Sequence, residues 1–325
     1  MPIANIDRSL QAGILADLKE TWRQQIPVFR KQQEKLLKYL PDSNIRNATW
    51  AWKESVPFPQ YWPYGTGRKA QAFRDRYLTL GKYNYELTIP WSRWDEEDDQ
   101  LGDLRSHIQI AVQRYGQLPD VLISEYFNNV ADLNPSILNA FDGAALFSTV
   151  DGDGADRLGV SGGNIITGSG LTPDGIIHDF AQVQQRALSF IDPTAGKPIL
   201  SPEEADFSKM FAIVPNSANE VFQKTAQSEY LKISGENIVS ESNWLKGIFE
   251  WQTNPYLTDT SDWYVVLEHS FWKPFVFREP KNVESIIADM QNSDSARETG
   301  EYKLHTHVRC ALGPWFPGVI FKVNN

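Results

Sequence analysis

The stretch from Trp50 to Trp94, WAWKESVPFPQYWPYGTGRKAQAFRDRYLTLGKYNYELTIPWSRW, constrains the fold more than any other part of the chain. Twelve of the forty aromatic residues fall in it: Trp50, Trp52, Phe58, Tyr61, Trp62, Tyr64, Phe73, Tyr77, Tyr83, Tyr85, Trp91 and Trp94. An aromatic content of 12 % would place about six there. The same stretch carries Pro57, Pro59, Pro63, Gly65, Gly67 and Gly81 amid charge, a density of breakers that a buried core segment does not tolerate. Its ends have the period of strands. Trp50 and Trp52 flank Ala51, and Tyr85, Leu87, Ile89 and Trp91 alternate with Glu86, Thr88, Pro90 and Ser92. This predicts a long two-stranded hairpin with an irregular tip from Pro57 to Lys82. Rings displayed that way bury large area only when docked. Three readings stand: contact with another chain, packing on the molecule's own body, or a carbohydrate-stacking face.

The 325 residues suffice for a sizeable core in two domains or one elaborated domain. The single cysteine, Cys310, excludes an internal disulfide and suits a reducing compartment. No basic start followed by an apolar run opens the chain, and no run of about 18 apolar residues occurs, which reads as a soluble, cytoplasmically made protein. A formal net charge of -10 argues against a dedicated nucleic-acid binder, because phosphate neutralisation needs a basic face. It remains compatible with a surface that sits near DNA without adhering.

Residues 8 to 40 read as an amphipathic helical arm, with Leu10, Ile14, Leu18 and Trp22 at helical spacing and Phe29, Leu36, Leu37 and Leu40 resuming it after Pro27. The arm is expected to lie on a partner rather than form a core. After the aromatic segment, the acidic run Asp95 to Asp99 suits the positive end of a helix dipole. Leu101, Leu104, Ile108, Val112, Tyr115, Leu118, Leu122 and Tyr126 then define a long helix, with a kink expected at Gly116 and Pro119. Residues 141 to 171 read as an exposed Gly- and Asp-rich loop region. Thr172 is placed to cap a helix through Ile176, Phe180, Val183, Ala187 and Phe190, and Met210 to Pro215 forms a buried-type strand. Asn216 or Ser217 is expected to cap a further helix. WYVVLEHSFWKPFVF predicts two strands joined near Ser270, and YKLHTHVRCALGPWFPGVIFKV a pair broken at Gly313 and Pro314.

Chemical motifs are thin. DGDGAD (Asp151 to Asp156) lacks the glycine and terminal glutamate of a calcium hand, so a surface turn is preferred over a cation loop. PYGTGRK and SGGNIITGSG lack the spacing of a phosphate loop. His305 and His307 alternate on one strand face without a third ligand at chelating spacing, so no metal site is assigned to them. The carboxylates at 95 to 99 have a sufficient role at a helix start, and neither a G-x-S-x-G elbow nor a catalytic-cysteine signature occurs. No catalytic residue, cofactor or metal is expected.

The succession YWPYGTGRKAQAFRDRYLTLGKYNYELTIPWSRWDEEDDQLGD, FDGAALFST, FAIVPNSANEVFQ, WYVVLEHSFWKPFVF and YKLHTHVRCALGPW resembles the major head (capsid) subunit of Mu-like bacteriophages and prophages, from about residue 45 onward. The resemblance implies an α+β Hong Kong 97-like capsid fold. It maps an N-terminal arm onto 1–46, an extended loop onto 47–94, a peripheral domain with a long spine helix onto 95–204 and 301–325, and an axial domain onto 205–300. It implies a non-enzymatic virion protein that self-assembles through hexamers and pentamers into an icosahedral head shell. The shell would enclose double-stranded DNA without sequence-specific binding, with portal, scaffolding and decoration (cement) proteins as partners and no membrane. An encapsulin-like nanocompartment is the alternative. Inter-subunit contact is assigned to Trp50, Trp52, Phe58, Tyr61, Trp62, Tyr64, Arg68, Lys69, Phe73 and Arg74. The junction of loop and spine is assigned to Asp98, Asp99 and Gly102, and the arm contact to Leu10, Ile14, Leu18 and Trp22. Since Met1 stands almost at the arm, a scaffold is expected to be a separate protein. An enzyme built on the acidic run or the two histidines is the competing reading, tested by alanine at Asp98 or His307.

Overall fold

The computed structural model describes residues 16, 20, 33–40, 47–55, 59, 61–68, 74–92, 101–135, 137–192, 196–232, 240–278, 284–287, 298–299 and 301–325. In chain order the strands are β1 (Leu37–Leu40), β2 (Asn47–Ser55), β3 (Arg74–Gly81), β4 (Tyr83–Ser92), β5 (Ile165–Thr167), β6 (Met210–Val214) and β7 (Tyr230–Lys232). They continue with β8 (Ser240–Ser242), β9 (Glu250–Thr253), β10 (Trp263–Leu267), β11 (Phe275–Arg278), β12 (Glu284–Ile287), β13 (Glu301–Pro314) and β14 (Ile320–Asn324). The helices are α1 (Leu101–Asn128), α2 (Pro173–Ser189) and α3 (Asn219–Gln227).

Two five-stranded sheets organise the chain. The first is built on β13, the longest described strand: β4, β12 and β11 each pair with it antiparallel, and β1 adds to β11 in parallel. The second runs β5-β14-β10-β6-β9. Its central strands β6 and β10 are buried at every position, as expected of apolar runs covered on both faces. Alternation splits their side chains. Met210, Ala212, Val214, Trp263 and Val265 pack in one core with Ile176, Phe180 and Val183 of α2 and Phe222 of α3. Phe211, Ile213, Tyr264 and Val266 face the other core with Leu122, Ile123, Tyr126 and Phe127 of α1.

The helices largely follow their sequence signals. Thr172 Oγ1 accepts from Gly175 N at 3.1 Å and caps α2, as expected. α1 runs as one element through Gly116 and Pro119, the expected kink sites. At its end Asn129 takes a positive φ of 53°, and the Glu125 carboxylate accepts from Leu133 N and Asn134 N at 2.7 and 2.8 Å. α3 has no side-chain cap, against the expectation for Asn216 or Ser217. Those residues form a short 3-10 turn, and the Ser217 hydroxyl donates to Thr260 O instead.

Three expectations are corrected. Residues 37 to 40 are strand, not helix, and Leu36, Leu37 and Leu40 are core residues rather than partner-facing ones. The spacing of these leucines fits a helix face, but tertiary pairing with β11 overrides it. Secondly, β2 pairs with β3, and β4 pairs with β13. The return strand of the hairpin is therefore Arg74–Gly81, inside what alternation alone assigned to the tip. Lys82 alone separates two strands that belong to different sheets. Thirdly, the Gly-rich region after 141 is pinned. Arg157, wholly buried, donates through Nε and Nη2 to Asp142 at 2.6 and 2.9 Å and through Nη1 to Leu146 O at 2.7 Å.

The segment preceding β1 is held on α1 by Gln33, whose Nε2 donates to Asp120 Oδ1 at 3.0 Å while Tyr39 Oη donates to its Oε1. Burial pushes the Asp120 carboxyl up to about 6, outweighing the hydrogen bond from Gln33 that acts the other way. A raised carboxyl stabilises the fold below the unfolded-chain value near 4, and that contribution is lost as pH rises through about 6. Asp120→Asn keeps an acceptor for Gln33 and removes the charge. It is expected to gain up to about 3 kcal/mol over the wild type at pH 8 and nothing at pH 4. Urea midpoints of both proteins across that range check this; a difference independent of pH would exclude it.

Candidate interaction site

The β2–β3 hairpin has a rooted end and a displayed end. At the root, Leu78 and Leu80 of β3 lie in the core, and half-buried Trp50 packs against it. The buried Arg278 guanidinium sits 5.6 Å from the Trp50 ring centre and donates to Leu80 O at 3.3 Å. Gly313 of β13 is needed here, since a Cβ on it would lie 2.4 Å from Leu80 Cδ2. The opposite face of the hairpin is polar, with Thr49 and Thr79 hydroxyls paired across the strands at 2.8 Å. Tyr77, which the sequence reading did not select as a contact residue, stands exposed beside them.

At the tip the rings face solvent: Tyr61 is 89 % exposed, Trp62 52 % and Tyr64 104 %. The backbone there is shaped by a turn over residues 63–66, closed by Thr66 N donating to Pro63 O at 3.3 Å, with Gly65 at a φ of +82°. Glycine at the third turn position is what that conformation favours. Two further bonds brace it. Thr66 Oγ1 donates to Pro63 O at 2.8 Å, and Trp62 Nε1 donates to Thr66 O at 2.7 Å. The Arg68 guanidinium stacks over Trp62 at 4.8 Å. The result is a pre-shaped aromatic and cationic knob.

Of the residues assigned to this contact, Trp50 is at the root and Tyr61, Trp62, Tyr64 and Arg68 form the tip. Trp52 and Arg74 lie on paired backbone of β2 and β3. Gly102 is in the first turn of α1. Phe58, Lys69, Phe73, Asp98, Asp99, Leu10, Ile14, Leu18 and Trp22 lie outside the described residues. The sequence reading missed the Asp142, Arg157 and Asn164 cluster, since nothing in a Gly-rich stretch marks one arginine as buried.

Chemistry is sparse elsewhere. The Asp151 carboxylate accepts from its own loop at Asp153 N and Ala155 N, at 3.0 and 2.9 Å. His305 and His307 lie on one face of β13 and Cys310 in the core, as alternation predicted. Burial pushes the Cys310 thiol up, so it stays protonated and unreactive. No described helix is long and apolar enough to cross a membrane.

Neither any family model nor any curated protein matches the sequence. Solved structures do. The chain superposes on the capsid of an empty GTA particle with a TM-score of 0.54 at 8 % identity, over 90 % of this chain and 88 % of that one. It matches a chain of Microbacterium phage Oxtober96 at a TM-score of 0.51 and 11 % identity, covering 89 % of each. The mature capsid of bacteriophage PhiM1 gives a TM-score of 0.50 and 12 % identity, over 91 % and 86 %. The chain therefore has the fold of phage capsid proteins.

Proposed function

We propose that this chain is a major capsid protein, a structural, non-enzymatic subunit that self-assembles through hexamers and pentamers into the icosahedral head of a tailed double-stranded DNA phage. The observation that carries the reading is the displayed knob of Tyr61, Trp62, Tyr64 and Arg68 on a chain whose fold is shared with capsid proteins over about nine-tenths of its length. A hairpin tip that seats on the next copy makes a heterologous contact, and such contacts close into rings. Two of the neighbours described above are capsids, which favours a head shell over a nanocompartment. The Mu-like assignment rests on the quoted motifs. Portal, scaffolding and decoration partners, a location in the virion, and the enclosed DNA follow from the same reading.

The domain mapping is proposed with two adjustments supported by strand pairing. Residues 37–40 go with the unit built on β13, and residues 165–167 and 320–324 go with the unit containing β6 and β10, to which β14 bonds directly. A test of the arm must then stop short of the body. Deleting residues 2–40 would remove core leucines, whereas deleting 2–30 spares Gln33 and β1 and should weaken the shell without unfolding the subunit.

Electron microscopy with mass analysis, over a range of concentration and salt, tests the function. Closed shells or rings of five and six subunits are expected. A protein that remains monomeric throughout, also with co-expressed scaffold and portal, would refute it.

A further inference from the structure

The exposed face of β13 carries two imidazoles, neither of them among the residues assigned to the contact between subunits. His305 and His307 point away from the core because Thr306, Val308 and Cys310 take the inward positions. The register sets Thr88 directly across from His305, and Glu86 of β4 directly across from His307; Glu284 of β12 is the backbone partner of His307 on its other side. Directly opposed residues of antiparallel strands share a face, with Cβ atoms about 4.5–5.5 Å apart. A groove of ≈ 460 Å³ opens over Asn84, Glu86, His305, Thr306, His307 and Arg309.

Thr88 supplies an independent pointer. Its Oγ1 lies 3.0 Å from His305 Nδ1. With the hydroxyl accepting from Nδ1–H, the lone pair of the ring is left on Nε2, which is how an outer hydrogen bond fixes the tautomer of a ligating imidazole.

We propose that His305 and His307, joined by Glu86, bind a divalent transition metal of the zinc or nickel kind across β13 and β4. Imidazole pairs suit such ions, whereas calcium and magnesium require oxygen donors that two histidines do not provide. Among the described side chains no three-ligand cluster is already closed, so Glu86, which is exposed, completes the set by turning toward the ion. Lys303 and Arg309 are the charged groups of β13 that oppose a cation here, Lys303 beyond His305 and across from Pro90. Arg309, at the other end, stands beyond His307 on the side away from His305, across from Asn84. Bound metal would tie β4, the strand that follows the hairpin, to the centre of its sheet.

Titration calorimetry of the tag-free full chain with zinc chloride and with nickel chloride tests the site. One ion per chain is expected, with no response to magnesium. His305→Ala and His307→Ala should each weaken binding by about tenfold or more, and Glu86→Gln by several-fold. His178→Ala, at an exposed ring on α2, should leave binding unchanged. These are surface positions, and circular dichroism confirms that each variant folds. Zinc should also raise the thermal midpoint of the wild type and not that of the His305→Ala/His307→Ala protein. Binding that survives that double substitution, half an ion per chain, or no zinc or nickel binding by the wild type would overturn the proposal.

Discussion

Replacing Trp62 and Tyr64 by alanine is expected to abolish shell formation at concentrations where the wild type assembles, while the subunit itself stays folded. Both rings are mostly exposed, so truncation removes little burial within the chain. What is lost inside the subunit is one hydrogen bond from Trp62 to Thr66 O and the stacking of Arg68, both at the solvent-facing tip. Between subunits the loss is of another order. Truncating a central aromatic anchor costs about 2 kcal/mol or more, about 30-fold in the concentration required for association. In the proposed shell the contact would repeat around every ring, so a modest loss per contact would become failure of the shell. Mass analysis and microscopy read assembly, and a urea or thermal melt of the same preparations reads folding. If assembly and subunit stability fall together by the same free energy, the rings pack on their own chain and the knob is not a docking element.

The structure shows why the aromatic segment was legible only in part. Alternation identified β2 and β4 as strands, but it cannot say which strands pair. β3 was overlooked because its apolar positions, Leu78 and Leu80, are fewer than the charged and polar residues around them. The division of rings between root and tip is a tertiary fact: Trp50 meets Arg278, which lies more than two hundred residues further along the chain. Elements that are buried throughout, as β6 and β10 are, or along one helical face, as α2 is, were read well, because continuous or helically spaced apolar residues leave few alternatives. β1 shows the opposite case. Four residues are too short to distinguish two periods, and pairing with β11 decides between them. For the proposed contact site, the sequence marked a ring-rich segment, but not the turn at Gly65 beside which the exposed rings stand.

Arg157→Ala is expected to be the most destabilising single change in the subunit, by about 3–5 kcal/mol. The side chain is fully buried, and its fork engages both oxygens of Asp142, so removal leaves a carboxylate enclosed without its counter-ion. The consequences extend beyond the pair. Asn164 takes a hydrogen bond from Arg157 Nη1 at 3.1 Å and accepts from Ser148 N, while its amide donates to Leu146 O and to Ile320 O at 2.9 and 3.0 Å. The network thus joins the 142–164 region to the start of β14, and through β14 to the centre of the second sheet. Arg157→Lys should recover only part of the loss, since an ammonium keeps the charge but not the fork. Arg157→Met combined with Asp142→Leu should be less damaging than Arg157→Ala alone, because no buried charge is then left unpaired. Chemical denaturation gives the three free energies, and hydrogen exchange at 142–164 shows whether the region loosens first. A loss below about 1 kcal/mol for Arg157→Ala would mean that this loop is not anchored to the second sheet in solution. Arg157→Met alone separates an uncompensated charge from a simple cavity: it keeps most of the volume but leaves the Asp142 carboxylate unpaired, so its stability should remain well below that of the paired apolar substitution if charge decides, and equal it if the cavity does.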